Sequence, residues 1–107
     1  MKKCKTAEYK IYLAGPIEVA KQYLREEFKC KGGCATITPT DYIYSFGEET
    51  GYVVGLINYA RFPEEDLSKL YDRAIRMAYE LMERTCQRSA TVVTPIETCY
   101  LTREDER

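Results

Sequence analysis

The sequence predicts an α+β fold in the order β-α-β-β-α-β, a mainly antiparallel four-stranded sheet with two helices. Three observations lead there. Two windows repeat apolar residues at helical spacing. The windows between them are short apolar runs or alternate with a period of two, as strands do. Gly15-Pro16, Gly32-Gly33, residues 47–51 and Pro63 fall at the boundaries, where turn residues belong. A chain of 107 residues has room for one core, so 1–107 is read as one ligand-binding domain, with 1–8 and 103–107 expected to be flexible.

Residues 10–14 (Lys-Ile-Tyr-Leu-Ala) form a short apolar run that reads as a buried first strand ending at Gly15-Pro16. Pro16 suits the first helical position. Ile17, Ala20, Leu24 and Phe28 then recur on one helical face as far as Lys29, and Gly32-Gly33 ends the helix. Residues 35–46 alternate Thr36, Thr38, Thr40, Tyr42 and Tyr44 against Ile37, Pro39 and Ile43, a strand whose proline argues for an edge or a bulge. A five-residue connection at 47–51 leads to an antiparallel partner at 52–59, in which Gly55 marks a bulge or a close backbone approach. Pro63 is expected to open the second helix, with Glu64, Glu65 and Asp66 in its first turn. Its apolar stripe is Leu67, Leu70, Tyr71, Ala74, Met77, Ala78, Leu81 and Met82, and Asp72–Arg76 and Glu80–Arg84 are i, i+4 pairs on its polar side. Residues 90–93 and 96–101, around Pro95, read as the last strand. Two helices in this order cover one sheet face and leave the other open, rich in Thr and Tyr, as a ligand platform or an oligomer interface.

Composition narrows the function classes. The 16 basic and 17 acidic residues nearly cancel, which argues against a general binder of nucleic acid polymers. No apolar run reaches the roughly 18 residues of a membrane span, and residues 1–9 lack the apolar core of a signal peptide, so the cytoplasm is the expected compartment. The five cysteines are an odd number and are expected as free thiols; with no histidine to complete a ligand set, no metal is expected. Ten tyrosines without a tryptophan supply flat amphipathic rings for stacking or for interfaces.

The turn at residues 14–18 joins a strand to a helix N-terminus, either a tight structural turn or a place for an anion. At residues 55–63 the chain packs Asn58, Tyr59, Arg61 and Phe62 together: an amide able to read a base edge, rings able to stack, and a guanidinium that forks onto phosphate. The alternative there is a strand end whose amide satisfies turn backbone. Phe46 beside Gly47 either folds onto the core or serves as one jaw of a stacking site, and Arg25, Arg73 and Arg76 are solvated unless they converge on one pocket. Without histidine there is no imidazole base and no Ser-His or Cys-His pair, and no phosphate-binding loop motif is present. Glu18, Asp41, Glu48 and Glu49 are the remaining candidates for nucleophile or acid/base, each explained more cheaply as exposed surface charge.

Residues 10–16 resemble the opening strand and turn of nucleoside 2-deoxyribosyltransferases, although the chain then departs from their longer doubly wound fold. A broader resemblance runs from Lys10-Ile-Tyr-Leu-Ala-Gly-Pro-Ile-Glu through Leu24-Arg25, Tyr42-Ile-Tyr44 and Gly47-Glu48 to Gly55-Leu-Ile-Asn-Tyr-Ala-Arg-Phe-Pro63. It is to the phage Thoeris anti-defence sponges, which sequester cyclic ADP-ribose isomers. That resemblance implies a non-enzymatic protein without cofactor that captures a cyclic ADP-ribose isomer or related cyclic nucleotide whole. By that resemblance the ligand would be held by Arg25, Phe46, Asn58 and Arg76, to which the residue types at 55–63 add Tyr59 and Arg61. It also implies homodimers assembling to homohexamers, with a second site for cyclic oligonucleotides at subunit junctions. The rivals are an N-glycosidase or deoxyribosyltransferase using Glu18 or Asp41, and an interaction protein whose sheet face is an oligomer interface.

Overall fold

The structure, a computed structural model, describes residues 1–105. Its elements are β1 (Glu8–Ala14), α1 (Ile17–Lys31), β2 (Thr36–Tyr44), β3 (Gly47–Ile57), α2 (Leu67–Arg84), β4 (Ser89–Val93) and β5 (Thr98–Thr102). The sheet order is β2-β3-β1-β4-β5, and every neighbouring pair is antiparallel. The expected α+β order is present, extended by one strand.

β1 is central, pairing with β3 on one side and β4 on the other. Its alternation is strict: Tyr9, Ile11 and Leu13 are buried under the helices, while Glu8 and Lys10 point away. Tyr52, Val54 and Leu56 of β3 and Ala90 and Val92 of β4 join that buried face, as the period of two requires. α1 contributes Ala20, Tyr23 and Leu24, and α2 contributes Leu70, Ala74, Met77, Ala78, Leu81 and Met82. Each large side chain sealed here, such as Ile11, Met77 or Leu81, contributes about 1.5–3 kcal/mol.

Several boundaries differ from those expected, each for a local reason. Pro16 is the N-cap of α1 in extended conformation, one residue before the helix, and α1 runs on to Lys31 before Gly32 takes a positive φ of 73°. Residues 47–51 are not a connection. They belong to β3, and Tyr44 pairs with Gly47 across a two-residue turn at Ser45-Phe46. This stretch of the hairpin arm reads as a loop because Gly47-Glu48-Glu49-Thr50-Gly51 carries no apolar side chain on either face, so nothing marks its period. Pro39 is tolerated because β2 is the sheet edge.

Pro63 does not open α2. Asp66 does, its side chain accepting from the Ser68 N–H (3.1 Å) and the Ser68 hydroxyl (2.6 Å), which satisfies an end donor that proline leaves open. The expected last strand is a hairpin of two. Thr94 Oγ1 accepts from the N–H of Ile96 and Glu97 and donates to the Glu97 carbonyl, so Pro95 sits inside a turn organised by a hydroxyl. Arg76 and Arg84 tie α2 to α1 through Glu27 (3.3 Å) and Glu26 (3.4 Å), in place of the i, i+4 partners read from the sequence.

At the N-terminus, the Ala7 carbonyl accepts from the Asn58 N–H and the Lys5 carbonyl from the Asn58 amide. Asp105 accepts from Thr102 and from the Tyr79 hydroxyl (2.8 Å); residues 106–107 lie outside the described residues. All five cysteines are free thiols, and among the described residues no helix is long and apolar enough to cross a membrane.

The sheet face away from the helices carries no helix of its own. Strand parity and register place Thr38, Val53, Tyr12, Thr91 and Tyr100 in one row across all five strands of that face, with Tyr42 and Tyr44 beyond it on the arm.

Candidate functional site

The residues singled out from the sequence do not meet around one cavity within the chain. Phe46 stands at the tip of the β2–β3 arm and is fully exposed, at 101%. Asn58 follows the other end of β3, an 11-residue strand, so at about 3.3 Å per residue some 35 Å separate them. The Asn58 side chain is already engaged. Its Nδ2 donates to the carbonyls of Lys5 (2.8 Å) and Glu64 (3.2 Å), and its Oδ1 accepts from the Glu64 N–H (2.9 Å). Both amide hydrogens are therefore spent on backbone, the structural alternative weighed for this corner.

Tyr59 lies beside it, its ring 5.4 Å from that of Phe62. Arg61 is exposed, and its carbonyl accepts from the Lys2 ammonium (3.2 Å). Arg25 is exposed on α1 next to Gln22, and Arg76 is held by Glu27. Only Asn58 and Tyr59 line a common cavity, and the arginine that faces it is Arg73.

A different cluster forms on the open sheet face, where the end of β1, the arm and the segment after α2 enclose a cavity of about 480 Å³. Tyr12, Tyr42, Tyr44, Glu49, Gln87 and Arg88 line it. Glycine makes it possible. A Cβ on Gly51 would meet the Leu13 carbonyl and lie 2.6 Å from Ala14 Cα and 2.8 Å from the Tyr42 ring, so only glycine lets that ring settle against the strand. The Tyr42 hydroxyl then donates to the Tyr52 carbonyl (2.9 Å). Tyr44 donates to Glu49 Oε1 (3.1 Å), which fixes the carboxylate on the cavity wall. That hydrogen bond to a carboxylate raises the Tyr44 phenol above its ordinary pKa, and burial does the same for Tyr42.

The opposite rim is also shaped by backbone. Gly15, at φ 113°, donates its N–H to the Thr50 carbonyl (3.1 Å), and a side chain there would collide with Gln87 Nε2 at 2.8 Å. Cys86 takes φ 56°, uncommon for a residue with a side chain, and this reverses the chain after α2 towards Arg88. The Arg88 side chain is exposed and forms no ion pair among the described residues, so its guanidinium is open to a ligand. On the far side of the Gly15 turn a second cavity of about 580 Å³ holds Glu18 and Asp41.

Three phenol rings, one carboxylate and one guanidinium suit a ligand with a flat ring, a positive charge and a carboxylate of its own. Ring faces and Glu49 attract the cation, and Arg88 matches the anion. The tyrosines were legible as a period-two series on a strand expected to have an open face. Glu49 reads from the sequence as surface charge or as one of four carboxylates for nucleophilic or acid/base chemistry, not as part of a binding wall, because residues 47–51 read as a loop, and nothing in the sequence marks Arg88.

Neither a protein-family model nor a curated protein matches the chain. Two solved structures do, along its whole length. A phage SAM lyase in its apo state superposes with a TM-score of 0.68 at 16% identity, covering 100% of this chain and 98% of that one. A phage SAM lyase in complex with S-methyl-5′-thioadenosine gives 0.60 at 12% identity, covering 100% and 97%. At these identities the likeness shows the fold. It corrects the expectation of a non-enzyme, because both of these end-to-end matches are lyases. The resemblance to Thoeris sponges is matched only at the coarser level of a fold that, in a phage protein, holds a small adenine-bearing ligand.

Proposed function

We propose that the chain is an S-adenosylmethionine lyase whose substrate occupies the tyrosine-lined cavity on the open sheet face. The observation that carries this reading is the end-to-end superposition on two SAM lyases, one of them holding S-methyl-5′-thioadenosine. The cavity supplies the matching chemistry. Its phenol rings offer stacking surface to adenine and π faces to the sulfonium, Glu49 draws the cationic end, and Arg88 receives the carboxylate at the rim.

The reaction breaks the bond between the sulfonium sulfur and Cγ of the methionine moiety. The electron pair passes to sulfur, which leaves as the neutral thioether S-methyl-5′-thioadenosine. The substrate's own carboxylate oxygen forms the new bond to Cγ and closes a lactone. Atoms and charge balance with no proton transferred, no water consumed and no cofactor, which suits a chain without histidine.

The sulfonium and carboxylate charges are both lost along this path. Groups that stabilise them in the bound substrate do not by themselves lower the barrier. Glu49 and Arg88 therefore serve capture, and acceleration comes from holding the carboxylate in line behind the Cγ–S bond.

A cyclic ADP-ribose isomer shares the adenosine half but presents a pyrophosphate where this cavity presents a carboxylate. That balance favours the sulfonium ligand. Self-association of copies, implied by the sponge resemblance, is proposed to use the exposed Tyr100 side of the same sheet face.

Titrating isotope-labelled protein with S-methyl-5′-thioadenosine tests the placement. Amide shifts are expected at Ala14, Glu49, Gln87 and Thr91. Saturable shifts confined to the Asn58 corner, or none, would remove the site.

A further inference from the structure

Away from the sheet-face cavity, a partly open hollow lies at the opposite end of β1, where the end of α1, the corner after β3 and the start of α2 converge. Its volume is about 290 Å³, and its walls combine the rings of Phe28, Tyr59 and Phe62 with the cations Lys31 and Arg73. Phe62 is half exposed at the mouth of this cavity. Arg73 is half-buried and has no hydrogen bond or ion pair among the described residues. Its guanidinium is therefore free to meet an anionic ligand.

The charge around it is arranged to the same end. A groove of about 470 Å³ continues from the cavity past Phe28, Lys31 and Arg73 and adds Lys69 and Arg76. Glu27 is shared between Lys31 (3.4 Å) and Arg76 (3.3 Å), one carboxylate against two cations. The acid lining the hollow is Glu64, which turns an oxygen to the Asp66 N–H (3.3 Å), and the acids lining the groove are Glu27 and Asp72. Stacking surface thus lies within the cavity and positive charge at its exit.

We infer that this corner is a second ligand site that takes a nucleoside monophosphate, its base among Phe28, Tyr59 and Phe62 and its phosphate on Arg73 and Lys69. The inference does not rest on the lyase reading. In register, Glu8 of β1 lies against Ile57 at the corner and Ala14 against Gly51 at the sheet-face cavity, so about 20 Å of strand separates the two sites.

The test is a titration of isotope-labelled protein with adenosine 5′-monophosphate, with adenosine and inorganic phosphate as half-ligands. Saturable shifts at Gly33, Cys34 and Phe62 are expected, weakening as salt is raised. Arg73→Gln and Phe62→Ala, each checked for an unchanged circular dichroism spectrum, should each weaken binding at least tenfold, and each half-ligand should bind more weakly than the whole. Shifts clustered instead at Ala14 and Thr91, no saturation in the millimolar range, or undiminished binding to Arg73→Gln would overturn the site. Phosphate binding as tightly as the nucleotide would overturn its assignment to a base-bearing ligand.

Discussion

Replacing Asn58 by alanine separates a structural amide from a ligand-reading one. The side chain is 8% exposed and makes three hydrogen bonds, joining the N-terminal segment at Lys5 to the loop at Glu64 that leads into α2. At about 0.5–1.5 kcal/mol for each bond, Asn58→Ala should cost roughly 2–4 kcal/mol. For a domain of this size that lowers the thermal midpoint by on the order of 10 °C. Asn58→Asp should cost at least as much, because a carboxylate would face the carbonyls of Lys5 and Glu64 where an NH₂ now donates. Urea unfolding followed by circular dichroism gives the stability, and affinity for S-methyl-5′-thioadenosine, measured below the transition, should be unchanged per folded molecule. A loss below about 0.5 kcal/mol together with abolished binding would refute the reasoning and return Asn58 to a ligand site.

Two buried tyrosines should respond in opposite directions. The Tyr23 hydroxyl is buried without a hydrogen-bond partner among the described residues, so Tyr23→Phe should stabilise by about 1 kcal/mol, whereas Tyr52→Phe breaks a bond to Thr85 (3.1 Å) and should destabilise by a similar amount, both read by urea unfolding. Burial, the largest cause for each, pushes both phenols up to about 12, so the folded state keeps its protons while the unfolded chain ionises near 10. Their contribution is therefore whole below pH 10 and lost as pH rises towards 12, and Tyr23→Phe should flatten that alkaline loss in unfolding curves taken across the range. Gly51→Ala forces β3 away from β1 and displaces the Tyr42 ring, so binding of S-methyl-5′-thioadenosine should fall at least tenfold by calorimetry with a clear drop in thermal midpoint; a neutral outcome in both would show that the strand has room. In steady-state kinetics Glu49→Gln should raise KM more than it lowers kcat, as expected of a capture group, and a fall confined to kcat would place Glu49 in the chemistry itself.

The parts of the fold legible in the sequence were those where one face meets a core. The stripe from Leu70 to Met82 on α2 and the alternation of Tyr9, Ile11 and Leu13 are both imprinted by burial against the opposite layer. Residues 47–51 read as a loop because Glu48, Glu49 and Thr50 pair in a ladder exposed on both sides, where hydrophobicity carries no period. The start of α2 was placed at Pro63 by local preference, whereas the fold uses Asp66, because the Asn58 amide holds the Glu64 backbone outside the helix.

The open, tyrosine-bearing face was foreseen. The particular cavity on it was not, because Glu49 and Arg88 lie 39 residues apart in sequence and meet only through the antiparallel order β3-β1-β4. The grouping of Phe46 with Asn58 failed for a related reason. Reading residues 47–51 as a loop shortens β3, and a shorter strand would bring its two ends close enough to share a ligand.

The most direct test of the lyase reading is to incubate the protein with S-adenosylmethionine, quench by heat, and quantify the released adenosyl compounds by chromatography and mass spectrometry over time. The expected result is S-methyl-5′-thioadenosine accumulating in many-fold molar excess over protein, with an equal amount of a four-carbon lactone and no requirement for metal or cofactor. Recovery of intact S-adenosylmethionine at every time point, whether free or released in stoichiometric amount on denaturation, would contradict it.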